Sequence, residues 1–355
     1  MSDDSPDADG RGADESIPQA QSPLTPEQHV AGPEAVEREP STLGKFLSQP
    51  IDRSGEPFLN GTWEKAGRHP AAAAIVGMLG IGVTYFYGQA ILTTFVLLAT
   101  GNLPGFELRD DYVFKSELHD AVLSKKNWIL IVLMLTQFSL MLLPTLRLVR
   151  KWHARNVPSY IRLNPVPVRL VLLGIVATTL FFPFNVAILN AIFRLLHIPH
   201  LVRDVSDTIF SADTRTEYLT LILVIAVTPA ICEEIFFRGF IQRTFERVMG
   251  WKSVLLIGFI FGLFHMQPLS LLTLSGMGFL FGFLYYRSGS LLTSMAAHFT
   301  NNFLAVTGMY VGGKSWLGKT MNHPSGGILM LALLLEILVV WYFVHLTAKP
   351  EEISG

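Results

Sequence analysis

Eight mostly apolar runs dominate this chain, at roughly 71–99, 127–147, 168–194, 218–241, 253–267, 269–286, 290–312 and 325–347. A helix needs about 20 such residues to cross a bilayer. Half of the 355 residues are hydrophobic, 15% are charged and the mean hydropathy is +0.41, far more apolar than a soluble domain of this length requires. Lipid offers backbone groups no hydrogen bonds, so runs of this length must satisfy them within helices. The expected fold is therefore all-α, a polytopic membrane helical bundle of about eight transmembrane helices.

The fifth and sixth runs are short and meet at Met266-Gln267-Pro268. Proline cannot continue the hydrogen bonding of the fifth helix, so a tight turn between two spans is expected there. Orientation follows from short basic loops. The second connection carries Arg147, Arg150, Lys151, Arg155, Arg162 and Arg169, which places it on the cytoplasmic side. With eight spans both termini are then cytoplasmic, and Arg243, Arg247, Lys252, Arg287 and Lys349 fall on that same side. Residues 1–66 are acidic and Pro-rich and lack a basic n-region followed by an apolar core. They read as a disordered cytoplasmic tail, followed by a transmembrane helical domain over 67–350. The net charge of -1 gives no sign of a nucleic-acid partner. One cysteine, Cys232, excludes an intrachain disulfide and reads as a small buried apolar residue.

Ionisable groups at membrane depth are costly and mark function when they occur. Here they gather on three runs: Glu233, Glu234 and Arg238 on the fourth, His265 ending the fifth, and His298, Asn301 and Asn302 on the seventh. At about 1.5 Å rise per residue from the cytoplasmic ends, Glu233 lies ~15 Å in, His265 ~18 Å in and His298 ~12 Å in. Three helices thus bring polar groups to one layer. Glu234 and Arg238 stand at i and i+4, the favoured order for an intrahelical ion pair. Glu233 sits about 100° around the helix, which leaves it the freer carboxylate and the candidate general base. His298 and Asn302 share a face, with Asn301 directed elsewhere. Gly258 and Gly262 form a small-xxx-small step that lets another helix approach near His265. Gln89, in the first run, reads as a packing hydrogen bond.

Glu-Glu-x-x-x-Arg at 233–238, Phe-x-x-x-His at 261–265 and His-x-x-x-Asn at 298–302, in that order on hydrophobic segments, resemble the motifs of the CPBP family. That family includes the type II CAAX prenyl endopeptidases and bacterial Abi-type proteins, and the resemblance covers about 218–312. It implies an intramembrane endopeptidase, often classed as a metalloprotease, acting on a membrane-associated or lipidated peptide; the expected location is the bacterial cytoplasmic (inner) membrane. By position, Glu233 with His265 activates the attacking water, while His298 and Asn302 complete the site and Glu234 with Arg238 supports it. An amide N–H can serve the developing oxyanion. Glu233, His265 and His298 are the three residues available to ligate zinc, although they lack the compact i, i+4 histidine pair of soluble zinc proteases. A metal-free glutamate mechanism fits the same residues. The alternative within the family is a non-catalytic immunity, regulatory or scaffold protein. A transporter would use buried charges too, but no inverted repeat is visible.

Overall fold

A computed structural model describes residues 59–99, 124–197, 211–312 and 316–348. Residues 1–58 of the expected tail and most of the connection at 101–126 lie outside the described residues. Among the described residues every regular element is helical. In chain order these are α1 (Thr62–Lys65), α2 (Pro70–Ala99), α3 (Lys126–His153), α4 (Val157–Tyr160), α5 (Val168–Leu195) and α6 (Arg215–Met249). There follow α7 (Lys252–Phe264), α8 (Leu271–Ser288), α9 (Leu291–Val311), α10 (Trp316–Asn322) and α11 (Gly326–Leu346).

Six of them, α2, α3, α5, α6, α11 and α8 with its preceding turn, are long and apolar enough to cross a membrane. The sequence led us to expect about eight. The difference lies in two helices. α7 has 13 residues, about 20 Å, which is shorter than a hydrocarbon core. α9 is 21 residues long, but Ser294, His298, Asn301 and Asn302 keep it less apolar. Outward-facing side chains agree with lipid as the solvent: α2 exposes Ile75, Leu79 and Val83, and α11 exposes Leu331, Leu334 and Ile337.

Local chemistry fixes where helices begin and turn. The Thr214 hydroxyl accepts from the Glu217 amide (3.2 Å) at the start of α6, and the Ser290 and Ser325 hydroxyls do the same for α9 and α11. α8 ends on Gly289 in the left-handed region (φ 64°). As expected, the chain turns sharply between α7 and α8. Met266 takes a positive φ of 53°, Gln267 is extended because a proline follows it, and Pro268 opens a short 3-10 turn. The two helices then pack side by side. A Cβ on Gly258 or Gly262 would collide with Phe279, Ser275 or the α8 backbone, so these glycines set the close approach.

The core is strongly aromatic, with Phe236, Phe237 and Phe240 of α6 fully buried with Phe261 of α7 and Phe281 of α8. α9 and α11 close the other side by packing on α5.

Residues 59–66, which the sequence assigned to the tail, are built into the bundle. The Glu64 carboxylate receives both terminal nitrogens of Arg247 (2.5 and 2.9 Å) and pairs with His153 Nδ1 (2.5 Å). Burial alone would raise the pKa of Glu64, but the Arg247 and His153 contacts outweigh it and hold it below the ordinary carboxylate value. Nor are all the arginines used to orient the chain free loop charges. Arg162 and Arg243 are buried against Glu246 (2.8 and 3.7 Å), and Arg287 is buried with its guanidinium donating to Val344 O and Thr347 Oγ1. Arg147, Arg150, Lys151, Arg155 and Arg169 are exposed.

Candidate active site

The site is organised by α6, whose backbone is not uniform. Its hydrogen bonding is π-helical over Ile222–Val227 and Ile235–Gln242, with an α-helical stretch, Thr228–Glu234, between them. Inserted π turns rotate the side chains that follow, and they recur at functional sites. Pro229 contributes to this irregularity, because it has no N–H with which to reach the Ile225 carbonyl one turn back. Asn302 of α9 supplies a donor instead, its Nδ2 lying 2.8 Å from Ile225 O. Asn301 does not point away as expected. Its Nδ2 donates to Asn302 Oδ1 (2.9 Å) and so fixes which way that amide faces.

The two adjacent glutamates face different surroundings. Glu234 is fully buried, with Oε1 accepting from Arg238 Nη1 (2.6 Å) and pairing with His298 Nδ1 (2.8 Å). Arg238 also donates to Gly278 O of α8 (3.0 Å) and lies over the Phe261 ring at 4.6 Å. The His298 ring stacks on Phe281 and meets Phe261 edge-on, with centroids 4.9 and 5.7 Å away. This half of the site is a closed assembly of paired charges and rings, tying α6, α8 and α9 together.

Glu233 faces the other way. His265 Nε2 lies 3.9 Å from its Oε2, and Oε2 has no hydrogen-bond partner among the described residues. His265 ends α7, and its Nδ1 lies 2.7 Å from Phe261 O. A carbonyl accepts only, so Nδ1 carries the proton, and in the neutral ring Nε2 is left as the acceptor facing Glu233. Both side chains line a cavity of about 510 Å³ together with Tyr85 and Gln89 of α2, Gln137 of α3 and Gln267. A second cavity of about 660 Å³ adjoins it through Phe86, Ala90 and Phe264, and its other walls are apolar, among them Met78, Val83 and Leu263.

Glu233 and His265 thus share one cavity, while His298 joins Glu234 and Asn302 reaches the α6 backbone. The three side chains available for zinc are therefore not gathered around one point. Among the described residues no three His, Cys, Asp or Glu side chains group as metal ligands. The sequence reading missed Tyr85 and Gln137 and took Gln89 for a packing residue. The available signal was polar side chains inside otherwise apolar runs, with Tyr85, Gln89 and Thr93 one turn apart on a single face of α2.

Residues 215–304 match the family model described as type II CAAX prenyl endopeptidase Rce1-like. The match spans α6 to most of α9 and contains all three motifs, so the resemblance read from those motifs is borne out over this stretch. A domain of this kind implies a peptidase. Comparison with curated proteins and with solved structures gave no match.

Proposed function

We propose that the protein is an intramembrane endopeptidase that hydrolyses a peptide bond of a membrane-associated or lipidated peptide with a water activated by Glu233 and His265. The observation that carries this reading is that Glu233 Oε2 and His265 Nε2 face each other at 3.9 Å and that both side chains line a cavity between α2, α3 and α6. The family match supports the same class of chemistry. A water about 2.8 Å from both Glu233 Oε2 and His265 Nε2 would sit off the line joining them, at roughly a right angle, within ordinary hydrogen-bond reach of each.

In this reading His265 Nε2 accepts one hydrogen of the water and orients it, while Glu233 takes the other as the oxygen attacks the substrate carbonyl. Glu233 then returns that proton to the leaving amine as the C–N bond breaks. One amide N–H of Asn302 is on Ile225 O, which holds α9 against α6 beside the site. Glu234, Arg238 and His298 hold α6, α8 and α9 in register behind Glu233. The apolar cavity beside the site suits a lipid or a large apolar side chain of the substrate. Zinc has no step in this mechanism, and a chelator tests that directly. The accompanying topology has α7 and α9 traversing with the six longer helices, both termini cytoplasmic, in a bacterial cytoplasmic membrane.

The test is cleavage of lipidated and unmodified peptides by the purified protein in nanodiscs. Wild type is compared with Glu233→Gln and His265→Ala, each with and without a chelator. Cleavage lost in both variants and unaffected by the chelator is the expected result. A folded wild-type protein that cuts no such peptide, yet retains a membrane partner irrespective of Glu233→Gln, would replace this reading with a scaffold.

A further inference from the structure

Two buried acceptors line the same cavity without a protein donor among the described residues. One is Glu233 Oε2, already assigned. The other is Oε1 of Gln137, on a residue only 4% exposed near the middle of α3. An amide oxygen left without a donor in the membrane interior is costly unless something donates to it. Its position is not arbitrary either. Gln137 opens the π-helical stretch Gln137–Leu142 in α3, so the cavity is flanked by inserted turns on α3 as well as on α6. The Gln137 amide reaches the hydroxyl of Tyr85, which is itself buried, faces Glu233 and stacks on Phe264 with centroids 6.3 Å apart.

The composition of the wall says which donor fits. Gln89, Thr93, Thr94, Gln137 and Gln267 offer amides and hydroxyls beside Glu233 and His265, whereas the adjoining cavity offers almost none. A peptide backbone carries one N–H and one C=O per residue and needs partners of both kinds when it leaves water. A hydrocarbon chain needs none.

We infer that Gln137, held in place by Tyr85, accepts a backbone N–H of the bound peptide and thereby sets the scissile carbonyl against the water between Glu233 and His265. This rests on the proteolytic reading for its chemistry, but it makes a separate claim about binding. Gln137 is the substrate-contacting residue and Tyr85 the positioning residue behind it. Neither lies in the stretch that matches the family model.

The experiment measures binding of a fluorescein-labelled hexapeptide carrying an S-farnesyl cysteine to the full-length protein in nanodiscs. Glu233→Gln serves as the background, so that no cleavage intervenes. Peptides in which one amide at a time is replaced by an ester remove single N–H donors. In the Gln137-containing protein one ester position should weaken binding roughly tenfold. With Gln137→Leu the all-amide peptide should be weakened by a similar factor, and that same ester should then cost nothing further. Gln137→Met repeats the test with a different shape, and because the ester comparison is made within each variant, a general loosening of the fold does not mimic it. Tyr85→Phe should give a smaller loss at the same ester position. Equal sensitivity to every ester with and without Gln137, or no binding of the peptide, overturns the inference. Peptide binding that depends on Gln137 in a protein that cleaves nothing upholds it and removes the proteolytic reading instead.

Discussion

Glu233 and Glu234 are neighbours in the chain, yet they belong to opposite kinds of environment. Glu234 is held by ionic partners through one oxygen: an arginine at i+4 and a histidine from α9 both reach Oε1, and Arg238 in turn donates to an α8 carbonyl, while Oε2 is buried without a hydrogen-bond partner among the described residues. Around Glu233 there is a cavity, a histidine at 3.9 Å and an oxygen with no hydrogen-bond partner. A buried ion pair fixes helices against one another, because removing either partner strands a charge away from water. A carboxylate that lines a cavity and carries no arginine ion pair can exchange a proton with whatever enters. One residue step, about 100° around α6, separates structural from chemical use of the same side chain.

The comparison breaks most visibly on the closed side. Glu234→Gln leaves Arg238 buried without its counter-charge, and we expect a loss of about 3–5 kcal/mol in denaturant unfolding in detergent micelles. Activity should fall with the fold rather than before it. Glu233→Gln should behave in the reverse way, with cleavage down by at least about 100-fold and unfolding changed by less than about 1 kcal/mol. If both substitutions cost stability alike, the division between the two glutamates is wrong. A smaller test sits at the edge of the site, where Asn302→Ala removes the donor to Ile225 O. Its stability cost should be about 1 kcal/mol, since hydrogen bonds between membrane helices are individually modest.

The smallest effect lies where α1 joins the bundle, at Glu64. Its pKa is held below the ordinary value of 4.5, so its ion pairs stabilise the protein fully above that value. That contribution is lost as pH falls through the lower folded-state pKa. Partial solvation limits it to about 1 kcal/mol or less. Comparing Glu64→Gln with wild type, the difference in unfolding should be present at pH 6 and shrink toward pH 3. A difference that persists at low pH would mean that packing, not charge, joins α1 to α6.

Much of the architecture was legible because a bilayer simplifies the problem: long apolar runs can satisfy their backbones in few ways other than helices. The turn at Met266-Gln267-Pro268 followed from proline chemistry, and the α7–α8 approach followed from Gly258 and Gly262. The number of helices able to cross was less legible. Length and hydropathy disagree for α9, whose polar residues serve neighbours in the bundle and not the lipid. The membrane arginines were misjudged for a related reason. Arg162, Arg243 and Arg287 look like loop charges in the sequence, and only tertiary contacts show them buried against Glu246 and the end of α11. The Glu64–His153–Arg247 cluster joins residues 89 and 183 positions apart, a pairing that no local pattern signals.

By itself, then, the sequence determined the solvent, the helical class and the set of polar residues that had to find partners, since burying such groups in lipid without compensation is too costly. Which partner each one found was decided by the tertiary structure. The π turns of α6, the carbonyl left by Pro229 and the closeness of α7 to α8 aim Glu234 at Arg238 and His298 and leave Glu233 facing His265 across a cavity. Those directions depend on helix packing at the scale of a few ångströms, and helical spacing alone carries no information about which neighbouring helix stands opposite each face.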